Sequence, residues 1–207
     1  MRGRFITLEG IDGAGKSTHL QWLARTLEER GIGVRATREP GGTVFGERLR
    51  ELLLDRDQRL APETETLLMF AARREHLETV ILPALTAGTW VLCDRFTDAS
   101  YAYQSGGSGV AWEKIAALEE WVHPGLQPDV TLLFDVSPEI GRQRAQQGRT
   151  ADRFEREAEA YFQRVREAYL RRARSCPERM RIIDANGSVD AVRKALEDVV
   201  SALCESA

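Results

Sequence analysis

The chain has 207 residues, a length that suits one well-buried domain with at most a small inserted segment. Apolar residues make up 43% and charged residues 29%, which sets aside disorder and fibrous repeats, and a formal charge of −3 speaks against a nucleic-acid polymer as partner. Lysine occurs only at Lys16, Lys114 and Lys194, so the basic side chains are nearly all arginine, whose planar fork suits phosphate and carboxylate, although biased codon usage produces the same excess. Cys93, Cys176 and Cys204 lack metal-ligand spacing and read as the reduced thiols of a cytoplasmic protein. The N-terminal apolar run is too short for a signal peptide, and no segment approaches the roughly 20 apolar residues of a membrane span.

Apolar runs alternate with long amphipathic stretches, the pattern of parallel strands joined by crossover helices. The first predicted strand, 5–9, is followed by a glycine-rich turn and a helix over about 16–30 that Gly31 and Gly33 end. The turn reads Gly10, Ile11, Asp12, Gly13, Ala14, Gly15, Lys16, Ser17, Thr18, which fulfils G-x-x-x-x-G-K-[ST] in full. Glycines let backbone N–H groups curl around phosphate oxygens, and the helix behind them presents its positive end. Lys16 is expected to reach the β- and γ-phosphates of a bound nucleotide, and the Ser17 hydroxyl to ligate Mg²⁺. A chance glycine turn rarely reproduces this motif between a strand and a helix, so mononucleotide binding is the firmest reading.

A second strand, 34–37, leads into Arg38-Glu39-Pro40-Gly41-Gly42-Thr43 at the sheet edge where such proteins bind ligands; a plain turn before a helix reads equally well. A helical block follows over about 62–87, with Pro62 suited to its first turn and Pro83 to a kink. Phe70 and Arg74 lie at i and i+4 within it, so an aromatic face and an arginine fork share one side and suit a flat base, although Phe70 alone reads as core. The third strand, 89–93, ends in Asp94-Arg95-Phe96. An acidic residue at a strand end beside the phosphate loop holds Mg²⁺ through water, and Arg95 would neutralise a second phosphate. Further strands are predicted at 130–135 and 181–184, with an arginine-rich helical stretch over 137–175 broken near 147–152 and a last helix over 189–203. The fold class is α/β, with five parallel strands flanked by helices in a single domain, 1–207.

The segments LEGIDGAGKST, REPGGT, LLMFAARREH, ILPAL, VLCDRFTDASYAYQ, PDVTLLFDV and DRFE occur in the order found in bacterial thymidylate kinases, and from about 5 to 162 the chain resembles that family closely. The resemblance implies a P-loop fold with an arginine-bearing LID, here about 142–154, and transfer of the ATP γ-phosphoryl group to dTMP. It implies Phe70 stacked on thymine, Arg74 bonded to its O4, Ser100 and Gln104 completing the base pocket, and Tyr103 packed where a ribose 2′-hydroxyl would sit. It places Arg38, Arg50 and Arg95 around the acceptor phosphate, Glu39 near the sugar or metal, Asp12 near phosphate or metal, Ser17 and Asp94 at the metal, and 185–189 against adenine. Some members carry a basic residue inside the loop, where this chain has Gly13 and Ala14. Those that lack it supply the cation from the LID, which here means Arg149 or Arg153, joined by Arg142. A homodimer is also implied. Two rivals stand beside this reading: a deoxynucleoside kinase, which needs a base for a neutral 5′-hydroxyl, and a nucleotide-binding module without catalysis.

Overall fold

Phe5–Glu9 (β1) is buried at every position, because helices cover both faces of the sheet it centres. Its side chains alternate. Ile6 and Leu8 join one core with Leu20, Leu23, Leu196 and Val200, and Phe5 joins the other with Leu77, Ile81, Val91 and Ile115. The computed structural model describes residues 2–55, 57–146 and 159–205. Within them Val34–Arg38 (β2), Trp90–Asp94 (β3), Val130–Asp135 (β4) and Met180–Asp184 (β5) complete an all-parallel sheet of order β2-β3-β1-β4-β5. The chain leaves β1 for one side, returns, and later crosses to the other, so the ends of β1, β3 and β4 border the crevice where open α/β sheets bind ligands.

The helices are Lys16–Glu28 (α1), Val44–Leu54 (α2), Pro62–His76 (α3), Leu82–Thr86 (α4), Thr97–Ser100 (α5), Trp112–Val122 (α6), Pro138–Gln146 (α7), Glu159–Ser175 (α8) and Val189–Glu205 (α9). Pro62 opens α3, as its ring geometry favours. The expected break near Pro83 takes the form of a π-helical turn, Leu77–Ile81, directly before α4, where the proline has no N–H to donate back. The predicted elements skip 97–122, where α5 runs into a second π-helical stretch, Tyr101–Gly107, and then α6. Glycines and serines at 105–109 hide that helix from a periodicity reading, and tertiary packing forms it. Gly106 lies so close to α8 that a Cβ there would sit 2.4 Å from the Ala168 methyl.

Polar bonds fasten α8 and the turn that follows it to the rest. Arg172 and Arg179 both bind the buried carboxylate of Asp98, at 2.8 and 2.7 Å. Burial opposes that charge, yet the bonds and charges of Arg179 and Arg172 outweigh it and hold the Asp98 carboxyl below the usual range. Tyr169 donates to Glu9 Oε2 at 2.8 Å. Among the described residues no helix is long and apolar enough to cross a membrane.

Candidate functional site

The loop after β1 wraps its own lysine. Lys16 Nζ donates to the Gly10 and Ile11 carbonyls at 2.9 and 3.1 Å, and Gly15 caps α1 with φ 88°. Burial, then Arg95, lowers the Lys16 pKa from the ordinary lysine value, with Asp94, Asp12 and Glu9 pulling the other way. Gly13 has φ 78°, and a Cβ on it would lie 1.9 Å from the Gly141 carbonyl oxygen of α7. No side chain fits there without moving α7, so the loop cannot carry a second cation at that position.

At the end of β3, Ser17 Oγ donates to Asp94 Oδ2 at 3.2 Å, while Asp94 Oδ1 is buried with no hydrogen-bond partner among the described residues. An orphaned carboxylate oxygen beside a hydroxyl, both hard oxygen donors facing the phosphate loop, fits Mg²⁺ and its water. Among the described residues no cluster of three or more acidic, His or Cys side chains competes for a metal.

Arg95 adopts φ 70°, a left-handed conformation costly for a side-chain-bearing residue. Flanking bonds hold it: Arg95 N donates to Leu8 O at 3.0 Å and Phe96 N to Glu9 Oε1 at 2.7 Å. Burial, then Asp98, pushes the Glu9 carboxyl up to about 8. The Arg95 guanidinium donates to Asp12 Oδ1 at 2.5 Å and Tyr103 OH at 2.8 Å, and its buried Nε has no hydrogen-bond partner among the described residues. The turn therefore aims a fixed cation with spare donor capacity across the cleft from Lys16.

The cleft, about 650 Å³, is lined by the loop, Arg38, Glu39, Arg50, Met69, Arg73, Asp94, Arg95 and Phe96, and by Ser100, Tyr103 and Gln104. Arg38 is anchored by Glu47 at 2.9 Å, and Arg50 donates to the Pro40 carbonyl at 2.8 Å. Gln104 Nε2 donates to Glu65 Oε1 at 3.0 Å, which leaves its carbonyl oxygen for a ligand.

Two expected residues are elsewhere. Phe70 is 1% exposed in the core with Phe5 and Phe96, and Arg74 donates to the Val122 carbonyl and pairs with Glu78 one turn on. Neither lines the cleft. Met69 and Arg73, one residue earlier and likewise at i and i+4, face it instead. Arg73 is nearly buried. Its Nε donates to Glu39 Oε2 at 2.7 Å and its terminal nitrogens to Ser100 Oγ and the Phe96 carbonyl. Four of its five N–H groups suffice for these bonds, and, among the described residues, one remains. Burial works against the Glu39 charge, but Arg73 and His76 hold its carboxyl below the usual range.

At the donor-nucleotide end Arg142 is exposed, 3.7 Å from Glu159, and does not line the cleft. Arg144 does, donating to the carbonyls of Ala185, Asn186 and Gly187 at 2.7, 3.1 and 2.9 Å, next to Ser188 and Val189. The two arginines stand two apart on α7, on different faces, so only the packing of α7 decides between them. Arg149 and Arg153 lie outside the described residues.

The family model described as thymidylate kinase matches residues 8–196. The thymidylate kinase of Nitrosospira multiformis is 61% identical over 203 residues, 98% of this chain and 99% of that protein. That of Bordetella pertussis is 58% identical over 206 residues, covering 100% of this chain and 98% of the relative. The crystal structure of thymidylate kinase from Ehrlichia chaffeensis superposes with a TM-score of 0.80 at 34% identity, covering 97% of this chain and 99% of that one.

Proposed function

The chain belongs to the thymidylate kinase family and transfers a phosphoryl group from ATP to dTMP, giving dTDP and ADP; we propose that it does so with Mg²⁺, as a cytoplasmic homodimer, in one domain whose LID spans about 142–154. The observation that carries the site reading is that one cleft is lined both by the complete loop around Lys16 and by Arg38, Arg50 and Arg95, which suits two phosphates. Carboxylates nearest the acceptor side are already engaged by guanidinium groups, Asp12 by Arg95 and Glu39 by Arg73. With these two carboxylates paired and Asp94 assigned to the metal ion, the site suits an acceptor that arrives ionised and disfavours a nucleoside kinase, which needs a base for a neutral hydroxyl. ADP release with dTMP, TMP, thymidine and other acceptors tests this, and thymidine turned over as fast as dTMP would overturn it.

The residues divide the work by position. Lys16 and the loop N–H groups hold the β- and γ-phosphates, and Arg144 with 185–189 holds adenine. Ser17 and Asp94 would hold the metal ion, which supplies charge neutralisation between the phosphates when bound. Arg95 fixes the attacking phosphate in line, so most of the barrier is met by positioning and by charge already in place. The base lies against Met69 and Phe96, with Arg73 donating to O4 and the Gln104 carbonyl accepting from N3–H. The Tyr103 ring occupies the space a 2′-hydroxyl needs.

Because no side chain fits at Gly13, the cation for the moving phosphoryl group comes from the LID, Arg149 or Arg153. Replacing the one that supplies it by alanine, Arg149→Ala or Arg153→Ala, is expected to lower kcat about a hundredfold with little change in the dTMP KM, since the contact tightens only as charge develops. Wild-type kcat in both variants and their double would place that cation elsewhere.

Homodimer formation is supported by large apolar side chains left exposed on neighbouring helices: Val44 and Phe45 on α2, Leu67 on α3 and Trp121 on α6. Sedimentation equilibrium should give twice the chain mass, and Trp121→Glu should shift it to the monomer. A monomer at micromolar wild-type protein would remove the proposal.

A further inference from the structure

Beneath the acceptor pocket α3 buries a histidine that phosphoryl transfer does not require. His76 is fully buried, with Nδ1 3.0 Å from Glu39 Oε1 and Nε2 2.7 Å from Thr37 Oγ1. A carboxylate only accepts, so Nδ1 carries the hydrogen toward Glu39. Glu39 in turn binds Arg73 through its other oxygen, and Arg73 binds Ser100. A continuous chain of polar contacts thus runs Thr37–His76–Glu39–Arg73–Ser100, from β2 through α3 to α5. Gly42 closes over it from the loop after β2. It has φ 77°, and a Cβ there would lie 2.5 Å from His76 Nε2 and 2.7 Å from Thr37 Oγ1. The main chain therefore pins the imidazole where only a glycine permits it.

We propose that His76 is a positioning residue for acceptor recognition: by holding one oxygen of Glu39, it fixes the other against Arg73 and so sets the plane of the guanidinium that faces the base. Without that hold, the Glu39 carboxylate turns about its terminal bond, and Arg73 loses the orientation that leaves one N–H aimed at the substrate. The effect falls on acceptor binding and base choice, not on the ATP side, because the chain of contacts reaches neither the phosphate loop nor Arg144. This rests on Arg73 being the base-facing residue.

The test compares His76→Leu, His76→Gln and His76→Asn with Arg73→Gln in steady-state kinetics on dTMP, dCMP and ATP. His76→Leu should raise the dTMP KM about tenfold, the loss of a hydrogen bond to a charged group, with the ATP KM within about twofold, and should narrow the preference for dTMP over dCMP. Asparagine keeps an N–H near the place of Nδ1 and should restore most of the loss. Glutamine keeps only the partner of Thr37 and should behave like leucine, which preserves the test if the leucine variant fails to fold. A merely structural role lowers kcat through the active fraction, equally for every acceptor, and leaves both KM values alone; that result overturns the proposal. So does an asparagine variant no better than glutamine. If Arg73→Gln changes acceptor KM and base choice while the histidine variants do not, the role of His76 fails and the Arg73 reading stands. If Arg73→Gln changes neither, the base-pocket reading fails with it.

Discussion

Replacing Lys16 by alanine is expected to lower turnover by roughly two to three decades while the protein stays folded. The side chain is nearly buried, yet its charge serves the ligand and not the core. Among the described residues Nζ donates to the Gly10 and Ile11 carbonyls of its own loop, where the side chain lines the cleft. What the substitution removes is a cation on the β- and γ-phosphates where charge accumulates during transfer. A loss of ~3–4 kcal/mol of transition-state stabilisation corresponds to that fall in rate. The ATP KM should move less than kcat, because in the proposed site the loop N–H groups and Arg144 still hold the nucleotide. Circular dichroism and initial rates of ADP release decide it: a folded Lys16→Ala protein with unchanged turnover would remove the phosphate-loop assignment.

Strand ends were legible because both sheet faces are covered, and continuous apolar runs at 5–9, 90–94 and 130–135 admit few other readings. The phosphate loop was legible because its function depends on residue types at fixed spacing, independent of what packs around it. Helix rotation was not. Phe70 with Arg74 and Met69 with Arg73 have the same i, i+4 spacing, and an aromatic ring makes the first pair look like the base platform. Packing chooses the second: Phe70 fills the core with Phe5 and Phe96, which turns Arg73 toward Glu39 and leaves Arg74 to the α6 terminus at Val122. The same ambiguity hid Arg144 behind Arg142. His76 and Glu65 carry no motif at all, and their parts in the site arise from partners 37 and 39 residues away in the chain.

Base choice should follow the order dTMP, then dUMP at a modest loss, then dCMP far behind. In the proposed pose Arg73 offers an N–H to O4 and Gln104 a carbonyl to N3–H, since an N–H of the Gln104 amide donates to Glu65 and so turns the carbonyl oxygen the other way. Cytosine opposes both, with an amino group facing the Arg73 donor and a bare N3 facing the Gln104 oxygen. Leaving a buried charged donor unpaired supports discrimination on the order of 10⁴ in kcat/KM. Uracil keeps both hydrogen bonds and lacks only the methyl group, worth ~1–3 kcal/mol in an apolar pocket, or about 10- to 200-fold. Arg73→Ala is a poor probe alone, because it strands the Glu39 carboxylate, and breaking such a buried pair costs about 3–5 kcal/mol of stability. Arg73→Gln is better: its amide either donates or accepts, so the dTMP-to-dCMP ratio should shrink by about two decades, the remainder held by Gln104. The dTMP-to-dUMP ratio should stay nearly constant, since neither side chain is asked to read the methyl. Arg74→Ala should leave both ratios alone, its donors being committed to Val122 and Glu78. Were Arg74→Ala to compress the dTMP-to-dCMP ratio and Arg73→Gln not, the helix would present its other face to the base, and Met69 and Arg73 would have to be withdrawn from the pocket.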